Sequence, residues 1–523
     1  MWFLFFNYNF CAYFMSSKIF SASVTGLDAE IIEVEADIAN GLPSFTIVGL
    51  PDKAVEEAKE RVRSAVKNTG LEFPKTKITI NLAPADVKKE GVGFDLPIAI
   101  ALLAATGNLP QDLFEQMVIA GELGLNGVLR PIPGILPMAL AAKKSGKKTL
   151  IVPYENAREA ALVTGIQIFA PKNLGEFVLH LAGEKKMSEA ENNDFGKDSD
   201  ENRSEHIDFA SISGQEHAKR ALEIAAAGHH NILFSGPPGS GKTILAQALA
   251  SILPRLTLDE ALEVTQIYSI VGKLDADKPL LSIRPFRNPH HTASAISLVG
   301  GGTYPKPGEI TLAHRGVLFL DEFPEFPRHV LEVLRQPLEG GVIHISRARE
   351  SLRFPARFLL VAAKNPCPCG YYQDPDKPCV CSPTQILKYQ KKISGPLLDR
   401  IDLHIEVPRL SYDKLTSRTG GESSAGIRSR VEMARQIQQE RFAKTKAMTN
   451  GEMDFRKVEA YCKLDDGNNK IMKHAVDSLH LSARAYHRIL RVARTVADLE
   501  KSSEIKESHL LEALQYRPRN SEG

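Results

Sequence analysis

The sequence predicts an α/β protein with a mixed α/β domain first, a doubly wound parallel-sheet core second and a helical domain last. Three observations carry this. Short apolar strand runs alternate with helical stretches over residues 17–182 and again over 207–408. The second region opens on a strand that feeds a glycine-rich turn and then a helix. From residue 409 onward the periodicity is helical alone.

Bulk properties bound the possibilities. A chain of 523 residues has room for two or three domains, since one core stops growing at about 250–300 residues. Hydrophobic residues at 43% and charged ones at 24% exclude a disordered, collagen-like or disulfide-rich chain. A formal net charge of +2 leaves nucleic-acid binding to local charge placement. Four of the six cysteines crowd between Cys367 and Cys381, a metal pattern rather than a secreted disulfide framework, so the reducing cytoplasm is the expected compartment. No run reaches the ~18–20 apolar residues of a spanning helix, and no membrane partner is expected. Residues 1–16 form an aromatic extension broken by Asn7 and Asn9, without the positive front end of a signal peptide; a start at Met15 is the alternative reading.

In chain order, Thr76–Leu82 and Thr149–Pro153 read as strands of the 17–182 domain, with Asp52–Asn68 and Leu96–Ala105 as helices. Residues 183–206 hold eight Asp or Glu against four Lys or Arg and few apolar residues, which reads as a flexible acidic linker. Buried strands are expected at Asn231–Ser235, Val317–Leu320 and Leu359–Ala363 in the 207–408 core. Helices at Ile427–Lys446, Phe455–Cys462, Asn469–Leu479, Ala483–Leu499 and Lys506–Gln515 build a lid over 409–523.

The chemistry concentrates in the core. The run Gly236, Pro237, Pro238, Gly239, Ser240, Gly241, Lys242, Thr243 lies between a strand and a helix, the two contexts a phosphate-binding loop requires. Its glycines let backbone N–H groups surround phosphate oxygens, Lys242 reaches the terminal phosphates, and Thr243 is a ligand for Mg²⁺. ATP with Mg²⁺ is the implied cofactor. The strand Val317–Leu320 delivers Asp321 and Glu322 to the carboxyl edge of the sheet, Asp321 for Mg²⁺ through water and Glu322 to polarise the attacking water. Asn365, just past the next strand, is placed to orient that water, or else forms a turn before Pro366.

Together with the stretch from Gly395 to Asp402 and Ser482-Ala483-Arg484, these motifs resemble the AAA+ ATPases, specifically the Mg-chelatase-like ComM/YifB group, from about Ser17 onward. The resemblance implies a homo-oligomeric ring, a hexamer, in which Arg400 reaches a neighbour's site as a finger and Arg484 senses the γ-phosphate from the lid. An arginine supplied in trans is worth about 10³ to 10⁵ in rate. Lys364 stands where the group has an uncharged residue, and Ala485 where it has Gly; the catalytic positions are intact.

Other segments follow. Arg287–Ala293 and Gly300–Glu309 form a loop-rich stretch similar to the helix-2 insertion of Mg-chelatases and MCM helicases; the pair His290 and His291 reads as structural rather than metal-binding. Residues 340–358 alternate in strand fashion and resemble a pre-sensor hairpin pointing into the ring pore. There Arg347, Arg349 and Arg353 either contact the phosphates of threaded DNA, single-stranded or branched, or form a solvated face. Cys367, Cys369, Cys379 and Cys381 bracket a turn-rich loop able to place four thiolates round one structural Zn²⁺, with a redox pair or reduced thiols as alternatives. The stretch Ala120–Gly134, with the helix and strand after it, resembles the proteolytic domain of Lon protease; Gly93 then stands at the nucleophile and Leu136 at the lysine, so no proteolysis is expected. The resulting expectation is an ATP-driven DNA helicase promoting branch migration of incoming DNA in natural transformation. The alternative is a magnesium-chelatase motor that drives Mg²⁺ into a porphyrin.

Overall fold

The computed structural model describes residues 16–107, 109–190, 207–302, 305–346, 351–410, 421–443, 445 and 447–518. The aromatic extension (save Ser16), most of the acidic linker, Arg347 and Arg349 lie outside the described residues. The chain divides into two compact units, Met1–Phe195 with Ala261–Leu281, and Gly196–Glu260 with Ser282–Gly523.

The first unit is built on a seven-stranded mixed sheet in the order Ser44–Val48, Lys77–Ala83, Asp28–Ala39, Ser16–Thr25, Met117–Ile119, Thr149–Ile151, Gln167–Phe169. The long Ser16–Thr25 and Asp28–Ala39 strands pair antiparallel, and in the latter Ile32, Val34 and Ala36 alternate inward, the period of a strand with one face in a core. Helix Lys53–Asn68 starts where Asp52 accepts a 2.9 Å hydrogen bond from the Val55 N–H, and it buries Val55, Ala58, Val62, Ala65 and Val66 along one stripe. Helix Asp95–Ala105 is buried on every side, which its apolar composition permits. Its one charge, Asp95, is held by Arg61 through two hydrogen bonds of 2.6 and 2.9 Å.

Two stretches differ from the sequence expectation. Residues 183–190 are bonded to the first unit: Met187 N–H donates to His180 Nδ1 at 3.1 Å and Ala190 N–H to the Ile168 carbonyl at 2.8 Å. Ala261–Leu281, placed by periodicity inside the 207–408 core, clusters with the first unit. Ser269 donates to the buried Glu159 at 2.5 Å, Gly134 N–H donates to the Ser269 carbonyl at 3.1 Å, and Gln266 donates to the Leu27 carbonyl at 2.6 Å. Helical periodicity says that a face is buried, not which partner buries it.

The second unit carries a five-stranded sheet in the order Phe286–Arg287, Val317–Leu320, Leu359–Lys364, Ile232–Ser235, Leu403–Glu406, with every neighbouring pair parallel. Val317–Leu320 is buried at all four residues, as expected of a parallel strand covered on both faces. Helices Glu216–Gly228 and Lys242–Ile252 pack on the sheet with the lid helix Ser424–Phe442 and contribute to one core. The lid continues through Phe455–Tyr461, Asp466–Leu479, Ala483–Leu499 and Glu507–Gln515. Among the described residues no helix is long and apolar enough to cross a membrane.

Candidate active site

The strand Ile232–Ser235 ends at Gly236, where an added Cβ would lie 2.2 Å from the Val407 carbonyl oxygen, so only glycine lets the loop leave the sheet here. Gly241 turns the chain at φ 94° into helix Lys242–Ile252, whose N-terminal N–H groups face the loop. Lys242 is nearly buried and its ammonium donates to the Gly236 carbonyl at 2.8 Å, the Pro237 carbonyl at 2.9 Å and Asn365 Oδ1 at 3.2 Å. Burial pulls this lysine below its ordinary pKa, and the charge of Asp321 partly offsets that. Ser240 keeps a buried hydroxyl without a hydrogen-bond partner in the same cradle. Thr243 Oγ1 donates to Asp321 Oδ2 at 2.8 Å, which brings together the oxygens a hard divalent cation selects. A phosphate chain with Mg²⁺ fits this donor set.

The strand Val317–Leu320 delivers Asp321 and Glu322 to the same sheet edge. Glu322 sits at φ 51°, and its N–H donates to Asp321 Oδ1 at 2.9 Å. Its half-exposed carboxylate pairs with His291 Nδ1 at 3.0 Å. His290 stacks beside His291 with ring centroids 4.1 Å apart and bonds Thr292 rather than a metal-type ligand set. The sequence offered no signal that His291 meets Glu322, because the two are joined only across the sheet edge. The insertion that follows is small: helix Ala295–Val299 and a hairpin of Gly300–Gly301 with Lys306–Pro307.

Arg400 and Arg484 lie elsewhere. Both line a cavity of about 520 Å³ together with His229, Asn231, Phe358 and Asp402, residues at the amino ends of the strands, opposite the phosphate loop. Arg400 hydrogen-bonds the Pro396 carbonyl and pairs with Glu339, and its buried Nε has no partner. Arg484 is exposed. Burial pushes Asp402 upward, but Arg491, His230 and Arg488 outweigh it and hold the carboxyl at about 2. In the sequence, Arg488, Arg491 and Arg494 recur at helical spacing on one side of Ala483–Leu499, the pattern of a basic face for nucleotide, a neighbour or DNA. They are instead tied internally: Arg488 to the Ile401 carbonyl, Arg491 to the Gly451 carbonyl and Asp402, and Arg494 to Asp498.

Val342–Ser346 and Ser351–Pro355 form an antiparallel hairpin with His344 opposite Arg353, and Arg353 is exposed. The four thiols of Cys367, Cys369, Cys379 and Cys381 converge, with ligand atoms within 4.8 Å of one another. In the first unit Gly93 and the fully buried Leu136 hold the two positions that the Lon likeness assigns to nucleophile and lysine.

A parallel five-stranded sheet with a phosphate loop on an interior strand, an acidic pair on another strand and a helical lid defines a nucleoside-triphosphate-binding module. Family models agree. "Magnesium chelatase, subunit ChlI" matches residues 208–415, "Subunit ChlI of Mg-chelatase" matches 34–156, and "Magnesium chelatase, subunit ChlI C-terminal" matches 421–517. Competence protein ComM of Haemophilus influenzae is 48% identical over 95% of this chain and 97% of its own. Protein YifB of Escherichia coli is 45% identical over 96% and 97%. Lon protease 2 of Bacillus subtilis is 32% identical over 28% of each chain. The chain therefore belongs to the Mg-chelatase-like AAA+ ATPase family, in the group that contains ComM and YifB.

Proposed function

We propose that the chain is an ATP-hydrolysing ring motor, a hexamer, that binds single-stranded or branched DNA and drives helicase-type branch migration when incoming DNA recombines during natural transformation. Near-full-length similarity to a protein named for competence is the observation that carries this reading. Two features support it. The phosphate loop holds Lys242 against Gly236 and sets Thr243 beside Asp321, and the hairpin strand Ser351–Pro355 presents an exposed arginine, Arg353, with Arg347 and Arg349 in the same stretch of sequence.

In this mechanism the phosphate-loop N–H groups and Lys242 hold the triphosphate, while Thr243 and Asp321 are the residues that would hold Mg²⁺, whose charge would offset that developing on the phosphoryl oxygens. Glu322 polarises the attacking water, and Asn365, fixed by its bond to Lys242, orients it. Arg400 and Arg484 supply positive charge to the site of an adjacent subunit, which makes turnover depend on assembly. The hairpin arginines contact phosphates without reading sequence, so binding weakens steeply with salt. Zn²⁺ in the four-cysteine loop is structural, and the first unit is a binding or assembly module without protease chemistry.

A magnesium-chelatase motor is the second reading, favoured by the family descriptions that match all three regions. ATP-dependent strand exchange on a labelled three-strand DNA junction separates the two. Wild type should move the junction; Lys242→Ala should not; and Arg353→Glu should hydrolyse ATP without moving it. Active ATPase with neither junction movement nor DNA-stimulated turnover would reject the DNA reading and direct the search to porphyrin substrates.

A further inference from the structure

The four-cysteine loop lies against the nucleotide cradle. Cys367 comes two residues after Asn365, and the turn it opens closes with Gly370 N–H donating to the Cys367 carbonyl at 3.0 Å. Gly370 has φ 86°, and a Cβ added there would meet Pro238 Cδ at 2.5 Å and Cγ at 2.7 Å. Pro238 belongs to the phosphate loop, so the cysteine turn is seated on that loop with no space between them.

The far end of the same loop returns to the same place. Cys381 precedes Ser382, which caps helix Pro383–Gln390 with a reciprocal capping box. That helix brings the Tyr389 hydroxyl to the Asn365 backbone N–H and Gln390 Nε2 to the Pro366 carbonyl at 3.5 Å. Asn365 in turn accepts from Lys242 at 3.2 Å. Both arms that leave the thiol cluster therefore end at the nucleotide cradle, one on Pro238 of the phosphate loop and the other on Asn365, which holds Lys242.

The cluster has the dimensions of a metal site. Sγ–Sγ separations are 3.4 Å for Cys367–Cys369, 3.7 Å for Cys367–Cys379 and 3.6 Å for Cys369–Cys379. A tetrahedron with Zn–S bonds of about 2.3 Å has edges of about 3.8 Å. A disulfide would need about 2.05 Å, and all four thiols are free. Cys367 is buried and the other three are half-buried, which suits a closed structural site rather than a catalytic one.

We propose that a tetrahedral Zn²⁺ held by Cys367, Cys369, Cys379 and Cys381 is the part that fixes the phosphate loop and Asn365, so that metal occupancy sets nucleotide affinity. Without the ion nothing joins the four sulfurs, so the loop from Cys367 to Cys381 loses its closure and Gly370 no longer backs Pro238. The inference rests on the phosphate-site reading above and adds a control to it.

The test uses the full chain and three measurements: bound zinc by elemental analysis, the Kd for Mg·ADP by calorimetry, and recovery on adding zinc back. Wild type should carry one zinc per chain. Stripping with a zinc-selective chelator, with Mg²⁺ restored, should weaken Mg·ADP binding at least about tenfold, and returning zinc should reverse it. Gly370→Ala should keep its zinc yet bind nucleotide at least about tenfold more weakly, because it presses on Pro238 without touching a thiolate. Cys379→Ser should lose both. Chelated protein with unchanged Mg·ADP affinity, or wild type without zinc, overturns the proposal and leaves the ATP site standing. Zinc-loaded wild type that binds no nucleotide sinks the phosphate-site reading itself and takes this inference with it.

Discussion

Arg400 cannot serve the phosphate loop of its own chain, and the structure supplies the arithmetic. Its carbonyl accepts a 3.0 Å hydrogen bond from Asn231, so its backbone sits at the amino end of the strand Ile232–Ser235. Gly236, whose carbonyl bonds Lys242, is five residues further along. At ~3.3 Å per residue that is about 16 Å. An extended arginine spans six bonds, about 7 Å from Cα to the guanidinium nitrogens. The shortfall is more than half the distance. Arg400→Ala should therefore lower ATP turnover by about 10³-fold or more while leaving nucleotide binding by the same chain intact. Mixing makes the test decisive. Lys242→Ala subunits lack the loop but keep the arginine, and Arg400→Ala subunits are the reverse. In a head-to-tail ring assembled from equal parts of both, about a quarter of the interfaces pair an intact loop with an intact arginine. Steady-state ATPase of the co-assembled mixture should recover to that order from two nearly inactive proteins. No recovery on mixing, or an Arg400→Ala protein with wild-type turnover, would refute the reasoning.

Two further outcomes are expected. His291 holds the Glu322 carboxylate at 3.0 Å, so His291→Ala should lower kcat roughly tenfold to a hundredfold with KM for ATP little changed, since misplacing a reacting group by about 1 Å costs up to about 10²-fold. His291→Asn, which keeps an N–H near the Nδ1 position, should restore part of the loss; equal kcat in all three proteins would remove His291 from the site. Burial, with Arg488 and Lys364 nearby, depresses His404 to about 3 from an ordinary value of 6.5. The unfolded chain then binds the extra proton between those values, so stability rises with pH across that window and is lost on acidification. At pH 5 the loss relative to neutral pH is about 2 kcal/mol from this group, and denaturant midpoints at pH 7.5 and pH 5 should converge in His404→Asn if the assignment is right.

The phosphate loop was legible because its chemistry is local. Gly236 to Thr243 must be contiguous for backbone N–H groups to surround a phosphate, and a strand and a helix must flank it, so one short stretch of sequence carries the motif and its context. The acidic pair at the end of Val317–Leu320 and Asn365 after Leu359–Lys364 were legible for the same reason, since a buried apolar run fixes which edge of the sheet its last residue reaches. The four cysteines were legible as a set, but only the folded loop brings their sulfurs within 4.8 Å of one another, with Cys367, Cys369 and Cys379 at 3.4–3.7 Å.

Four things needed the tertiary structure. Arg488, Arg491 and Arg494 carry the helical spacing of an exposed basic stripe, yet the lid folds them onto carbonyls, Asp402 and Asp498, because periodicity assigns a face without naming what covers it. Ala261–Leu281 joins the first unit through Ser269 and Gln266, contacts between residues more than a hundred positions apart. His291 finds Glu322 only because Phe286–Arg287 pairs beside Val317–Leu320 in the sheet. The seat of Gly370 on Pro238 is likewise set by the pairing of Ile232–Ser235 with Leu359–Lys364, which brings the ends of two strands together. The sequence alone thus determined the chemical groups and the backbone segments that present them. Which groups meet across the sheet edges, and which sheet edge each arginine occupies, was decided by strand order and packing, because those contacts join residues that local propensity and spacing cannot relate.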